Sequence, residues 1–559
     1  MDFDYVIVGG GSGGSVLAAR LSEDPQTTVC LVESGGDGRG ILVRAPAGTV
    51  AMLPGKPFKI NNYAYETVPQ PGLNGRRGYQ PRGHGLGGSS CINAMLYVRG
   101  HRSDYDDWAH NGAPGWSFDE VLPYFKRAEG NERGASALHG ASGPLQVSEQ
   151  QSPRPITRDF IQAGIACGVP ANNDFNGPQQ EGIGLYQVTQ FHGGAKNGER
   201  CSAAAAYLHP VMDQRPNLTV LLHTQANKVV LDGQRAVGVE VLRNGATETL
   251  QARKEVVLCG GAFNSPQLLM LSGIGDPAEL ARHGIPVRHA LPGVGKNLQD
   301  HLDFILSYKS KETDVFGIGA VGTVNLVKAI LEWRKTGKGM IATPFAEGGA
   351  FIRTTPDLSR PDVQLHFVIS VVDDHARKLH PGYGFSCHLC VLRPRSRGEV
   401  RLADGNPRSA PQIDPQFLSH PDDLATMLRG TRKMREILRS PGFARYRQHE
   451  LYTADVETDA QLAEHIRMRA DTIYHPVGTC KMGSDAMAVV DPQLRVRGMA
   501  GLRVVDASVI PALTGGNTNA PTIMIAERAA EWMRGGASGS GADAVKVSGD
   551  PVQPAVVPV

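Results

Sequence analysis

The chain has 559 residues, 41% apolar and 20% charged, an ordinary balance for a globular protein too long for one simple core. Its 57 Lys and Arg against 55 Asp and Glu leave a net charge of +2, which excludes the basic field that nucleic-acid binding requires. With no charged leader and no apolar run of about 18 residues, the expectation is a chain without signal peptide, transit peptide or membrane span.

The first predicted element is a strand, Asp4-Tyr5-Val6-Ile7-Val8, that runs into Gly9-Gly10-Gly11-Ser12-Gly13-Gly14. This is G-x-G-x-x-G in its full context. Gly9 permits the tight turn, Gly11 lets backbone approach a pyrophosphate, and Gly14 lets the next helix pack close. That helix continues through Val16–Leu21, and its N-terminus offers N–H donors to phosphate. A second strand, Thr28–Val32, ends at Glu33, placed to accept a ribose hydroxyl. A bound dinucleotide follows.

From about 37 to 90 glycine and proline predict irregular chain, with turns at Pro69-Gln70-Pro71-Gly72 and Asn74-Gly75. Helices are predicted near Asp104–Trp108 and over Phe118–Ala128, the latter with a Ser117/Glu120 capping box. Strands follow at Leu218–His223, Lys228–Leu231 and Ala236–Val241, then at Glu255–Leu258, which meets Cys259-Gly260-Gly261. Ser265 reads as the cap of a helix with Pro266 at its first position.

Between about 305 and 470 strand signals recur at Val363–Val371, Gly384–Leu392 and Glu399–Leu402, with helices at Val324–Arg334 and Asp422–Leu438. This predicts a second, sheet-containing domain. The 324–335 segment is amphipathic with basic residues; it reads as a core-packed surface helix, with a membrane-surface contact as the sharper alternative. The tail from Gly535 lacks periodicity and reads as disordered.

Eight cysteines are scattered, and Cys387-His388-Leu389-Cys390 has no partner pair at zinc spacing. They read as buried thiols in a reducing compartment. No H-E-x-x-H or comparable metal-ligand spacing occurs. Glycine-rich segments recur near 83–93, 260 and 515. A long cofactor touched by segments from the whole chain accounts for them better than a nicotinamide held in one compact domain.

Gly83-His84-Gly85-Leu86-Gly87-Gly88-Ser89-Ser90-Cys91-Ile92-Asn93, with Tyr97, Gly100 and Asp106, resembles the first signature of the glucose–methanol–choline (GMC) oxidoreductase family. His84 departs from the Arg or Lys usual there. Gly261–Gly275 resembles the second signature without departure. Tyr474-His475-Pro476, Val504–Ser508 and Gly516–Thr522 complete the resemblance over residues 4 to about 530, closest to choline-dehydrogenase-like alcohol dehydrogenases of bacteria.

The resemblance implies an α/β chain, α+β overall. A Rossmann-like FAD-binding domain over 1–305 would be joined to a substrate-binding domain over 306–470 on an antiparallel or mixed sheet with helices. A return over 471–534 would carry the catalytic pair, followed by the tail, 535–559. It implies FAD contacts at Gly9, Gly11, Ser12, Gly14, Glu33, Arg82, Gly87, Gly88, Ser89, Asn93, Ala94, Ala226, Tyr474, Asp506, Ala507, Pro521 and Thr522. Some relatives bond the flavin through a histidine where this chain has Ile92, so dissociable FAD is expected.

The chain has 18 histidines, and His475 is singled out as the one that matches the family's base. It would take the hydroxyl proton while the carbinol carbon gives hydride to flavin N5. Asn519 is expected to position the substrate oxygen, with Asn517 as its rival. Glu347 is the candidate acid of the substrate domain. The expected activity is oxidation of a primary, aliphatic medium-chain alcohol, with electrons passed to a quinone or other non-oxygen acceptor. Choline, sorbose or polyether alcohols and an oxygen-using oxidase are the alternatives. The expected location is cytoplasmic, with peripheral contact at the inner face of the membrane as the further possibility.

Overall fold

The computed structural model describes residues 1–535; the tail from 536 onward, where disorder is expected, lies outside them. Asp2–Val8, buried from Phe3 on, pairs in parallel with Val29–Val32 on one side and with the far half of Ala246–Leu258 on the other. Where these parallel strands are buried side by side, at Tyr5–Val8, Val29–Val32 and Val256–Leu258, they are apolar, as strands covered on both faces must be. Leu218–Leu221 extends the sheet beyond Val29–Val32, while Arg235–Arg243 and Gln225–Asp232 extend it by antiparallel pairing. Leu502–Val504 returns to pair with Val256–Leu258, bringing the C-terminal segment to one strand's distance from the first strand.

The helix Ser12–Leu21 packs against the helix Asn519–Met533, pinned by the Arg20 guanidinium on the fully buried Glu527, Nη2 to Oε1 at 2.8 Å. Close packing here is a glycine property. At Gly9 φ is +103°, and a Cβ on Gly14 would lie 1.9 Å from the Gly9 carbonyl oxygen.

The second sheet is antiparallel, in the order His449–Leu451, Leu302–Ser310, Gly382–Val391, Val363–Val368, Ala346–Ile352, Gly182–Leu185. It has its own apolar core, completed by the helices Pro155–Ala166 and Pro421–Arg439. The chain supplies this sheet from more than one stretch: Gly182–Leu185 precedes residue 306 and Asp471-Thr472 follows residue 470. Cys387 and Cys390, three apart on one strand, face opposite sides and fall in different apolar clusters, so they share no ligand.

Three sequence expectations change. The helix expected from Ser265 begins at Gly261, and Pro266 sits inside it; Ser265 instead hydrogen-bonds Asp506, Oγ to Oδ2 at 2.5 Å. The 37–90 stretch contains short helices at Ile41–Arg44 and Thr49–Met52. The amphipathic segment forms the helix Ala320–Thr336, yet only Ala329 and Trp333 are buried. Val321, Val324, Val327 and Leu331 are each more than half exposed, so the core-packed reading does not hold. The Ser117/Glu120 capping box is present as expected.

Gly14→Ala should destabilise the fold by about 3 kcal/mol or prevent folding, the upper range for overpacking, because its contact is with backbone that cannot move aside. Thermal unfolding of apoprotein and holoprotein reads this; a wild-type melting point in both would contradict the packing described.

Candidate active site

One cavity of about 1520 Å³ is walled by both sheets and the segments between them. It exceeds the usual 300–1,000 Å³ of a small-ligand site, as a dinucleotide plus substrate requires. Gly9, Gly11, Ser12, Glu33, Arg82, Gly88, Ser89, Asn93, Ala94, Ala226, Tyr474, Asp506, Ala507 and Thr522 all line it. Gly14, Gly87 and Pro521 do not. Gly14 packs on Gly9, and the Gly87 amide donates to the Gly10 carbonyl at 2.7 Å, behind the wall.

The nucleotide-binding features fit FAD. A Cβ on Gly11 would meet nothing nearer than 3.9 Å, so this backbone presents an open face. The helix that follows carries no side-chain cap on its first N–H groups, leaving them for phosphate. Glu33 is held by the amides of Gly10 and Gly35, each at 2.8 Å, and retains acceptor capacity toward the cavity. Asp506 accepts the Gly261 amide at 2.8 Å and the Ser508 amide at 2.8 Å, which ties the C-terminal return to the start of the 261–271 helix. Arg82 joins Ser89 Oγ to the Tyr474 carbonyl, both at 2.8 Å. Ile92 faces the cavity, while the neighbouring Cys91 thiol turns to the Leu86 carbonyl at 2.9 Å.

His475 is buried, and its backbone amide donates to Asp300 Oδ1 at 2.9 Å. Its Nδ1 lies 3.0 Å from His301 Nδ1, and its Nε2 lies 3.1 Å from Asn517 Nδ2. These contacts settle the tautomers. His301 Nε2 must donate, because its partner is the Leu392 carbonyl at 3.0 Å. Its Nδ1 therefore accepts from His475 Nδ1–H, and His475 Nε2 is left unprotonated, facing Asn517. Burial is the first cause that holds His475 well below the ordinary imidazole value of 6.5; His301, His366 and Arg82 add to it. Burial also takes His301 down to about 4 and raises Asp300 to about 6.

The sequence expectation for Asn519 is corrected. Asn519 opens the final helix and its Oδ1 accepts from Ser12 Oγ at 2.6 Å. Asn517, two residues earlier in the preceding loop, is the amide beside the base. Gln364 Nε2 donates to Asn517 Oδ1 at 3.3 Å, which turns the Asn517 amide nitrogen toward His475. Glu347 is also corrected. It is fully buried outside the cavity wall and saturated by the Arg154 amide, Thr157 Oγ1 and Thr343 Oγ1 at 2.7–2.9 Å. Its role is to join the 155–166 helix to the second sheet. Asp300, His301 and Gln364 carry no local signature, so sequence reading had no means to find them.

The description "GMC oxidoreductase" applies to both family models that match, over residues 3–303 and 394–526. The chain is 45% identical to alcohol dehydrogenase [acceptor] of Pseudomonas putida over 533 residues, 95% of each chain. It is 43% identical over 541 residues to oxygen-dependent choline dehydrogenase 1 of Chromohalobacter salexigens, covering 96% of this chain and 95% of the other. The solved structure of pyridoxine 4-oxidase from Mesorbium loti superposes with a TM-score of 0.86 at 32% identity, covering 95% of this chain and 99% of the other. With its glycine-lined cavity and these likenesses over nearly the whole length, the chain belongs to the GMC oxidoreductase family and is an FAD-dependent oxidoreductase acting on CH–OH donors.

Proposed function

We propose that this chain oxidises aliphatic primary alcohols of medium length to aldehydes and delivers the electrons to a quinone or other non-oxygen acceptor. The observation that carries it is the unprotonated His475 Nε2 beside Asn517 in a wall that includes the apolar Phe316, Phe345, Val368, Val371, Val372 and Ile473 together with the imidazoles of His366 and His388. The carboxylates that line the cavity are Glu33, Glu66 and Asp506; none comes from the second sheet, so a choline ammonium finds no counter-charge there. The likeness to alcohol dehydrogenase [acceptor] supports the choice of acceptor.

His475 Nε2 takes the hydroxyl proton, and Asn517 Nδ2 donates to the same oxygen to orient the carbinol hydrogen. FAD, when bound, supplies the acceptor for that hydrogen and its electron pair. Asp300 and His301 position the base, and His301 Nδ1 takes a fuller share of the Nδ1–H as His475 becomes cationic. Ile92 offers no nucleophile, which supports dissociable FAD.

The helix Ala320–Thr336 supports a peripheral membrane contact on an anionic bilayer. Its exposed apolar residues continue into the cavity mouth, where Ile41, Val50, Ile318, Leu326, Ile330 and Leu379 are exposed and also line the wall. Lys328, Arg334, Lys335 and Lys338 against Glu332 give this edge a positive excess suited to anionic lipid. Among the described residues no helix is long and apolar enough to cross a membrane. Eight free cysteines support a cytoplasmic location, on the inner face.

Anaerobic flavin bleaching tests the reaction. Medium-chain 1-alkanols should bleach the wild-type flavin and choline should not. His475→Ala should keep FAD and lose at least about a hundredfold in bleaching rate. Asn517→Ala should lose more rate than Asn519→Ala, whose defect should fall on FAD retention. Bleaching by choline alone, or an undiminished His475→Ala rate, would overturn the assignment.

The acid limb of kcat/KM should fall below pH 6.5. A histidine with a depressed pKa stays neutral, and so competent as a base, after an ordinary imidazole has protonated. A limb at or above 6.5 would show that the base is not the buried His475.

Cosedimentation with vesicles tests the membrane contact. Binding should require anionic lipid and should fall at least about tenfold when Val327→Glu and Leu331→Glu are combined. Equal sedimentation of variant and wild type, or a dimer through this face in sizing experiments, would rule the contact out.

A further inference from the structure

The second sheet carries a second imidazole group that the proton transfer does not use. Asp303, His366 and His388 come from three adjacent strands and share one face of the sheet. His366 pairs across from His388, and Asp303 lies two residues from Ile305, the partner of His388 on the other side. His388 and His366 both line the cavity that holds His475. Asp303 Oδ2 is 2.7 Å from His388 Nδ1; the Asp303 side chain is 5% exposed and that of His388 11%.

The contrast with His301 is informative. His301 is fully buried, and both of its ring nitrogens are hydrogen-bonded within the protein. His388 Nε2 has no partner among the described residues, although it is buried and on the cavity wall. A purely structural Asp–His pair would normally satisfy the outer nitrogen, because a buried polar atom without a partner is costly. Here the free nitrogen points to a group supplied from the cavity. The carboxylate of Asp303 takes the Nδ1–H, so Nε2 presents a lone pair and calls for a donor. His366, with both ring nitrogens unpartnered, lies beside it, and burial takes its pKa down to about 3. It stays neutral and adds no charge to the site.

We propose that His388, oriented by Asp303, is a specificity-determining residue that accepts a hydrogen bond from a second hydroxyl of the substrate, remote from the carbinol that reacts. The preferred alcohols are then diols, or alcohols with an equivalent N–H or O–H donor, over plain alkanols. This rests on the alcohol-oxidising reading above and narrows its substrate class.

The test compares α,ω-diols from butane to octane with the matching 1-alkanols, as kcat/KM of the holoenzyme. Isothermal titration of the anaerobic, dithionite-reduced holoenzyme reads binding without turnover. At the chain length that spans the two sites, the diol should be favoured by about tenfold, the worth of one hydrogen bond to a buried acceptor. His388→Phe should abolish that ratio in both measurements. Asp303→Asn is the sharper variant. Its amide donates to Nδ1, so Nε2–H becomes a donor, and preference should move from the diol to the ω-methoxy alcohol. Loss of fold would not produce such an inversion. No diol preference at any length, or a His388→Phe variant that keeps it, overturns the assignment while leaving alcohol oxidation in place. Failure of every alcohol to bleach the flavin overturns the underlying reading and this assignment with it.

Discussion

The hydrogen bond between the imidazoles of His301 and His475 fixes which nitrogen of His475 faces the cavity unprotonated. The Asn517 amide nitrogen, turned toward Nε2 by Gln364, asks for the same tautomer. With His301 Nε2 committed to the Leu392 carbonyl, the direction of donation along the pair is set, and the lone pair of His475 Nε2 is exposed to Asn517. Burial keeps both rings uncharged. The base is thus ready without a carboxylate against its ring; Asp300 acts on the backbone amide of His475 instead.

That arrangement needs the two sheets to meet at one cavity. The glycine contacts bring the nucleotide-binding segments together at backbone distance. A Cβ on Gly13 would lie 2.2 Å from the Val505 carbonyl oxygen, and one on Gly88 would lie 2.8 Å from Gly11 Cα. Asp506 then joins the C-terminal return to the 261–271 helix. Because the same return carries Asn517 and Asn519, the contacts that anchor the cofactor-binding region also place the Asn517 amide beside His475. Asn519 faces Ser12 in the first loop and Asn517 faces His475, so the two asparagines divide between cofactor loop and reaction centre.

The second sheet supplies one wall of the cavity. Alternation along its strands puts Gln364 and His366 on one face, with Asp303 and His388 beside them. Glu347, one strand further along, is spent on the helix at 155–166 and contributes no charge to the cavity. The wall is therefore apolar with a few fixed hydrogen-bonding positions, and its mouth is bordered by the exposed apolar residues of the 320–336 helix.

Residue chemistry in the sequence determined the first strand, its glycine turn and the class of cofactor, and it singled out His475, which the fold places on the cavity wall. Those features depend on short-range requirements: a positive φ at Gly9, an absent side chain at Gly11, and a histidine within a recurring local pattern. The tertiary structure decided the rest. Asn517 and Asn519 differ only in which side of the loop-to-helix junction they occupy, and that direction is invisible in spacing. His301 and Gln364 reach the site across 174 and 153 residues of chain. Glu347 and the 320–336 helix looked equivocal in sequence because amphipathic or acidic character does not say which face is covered. Burial and hydrogen-bond partners belong to pairs of distant residues, and only the folded chain brings those pairs together.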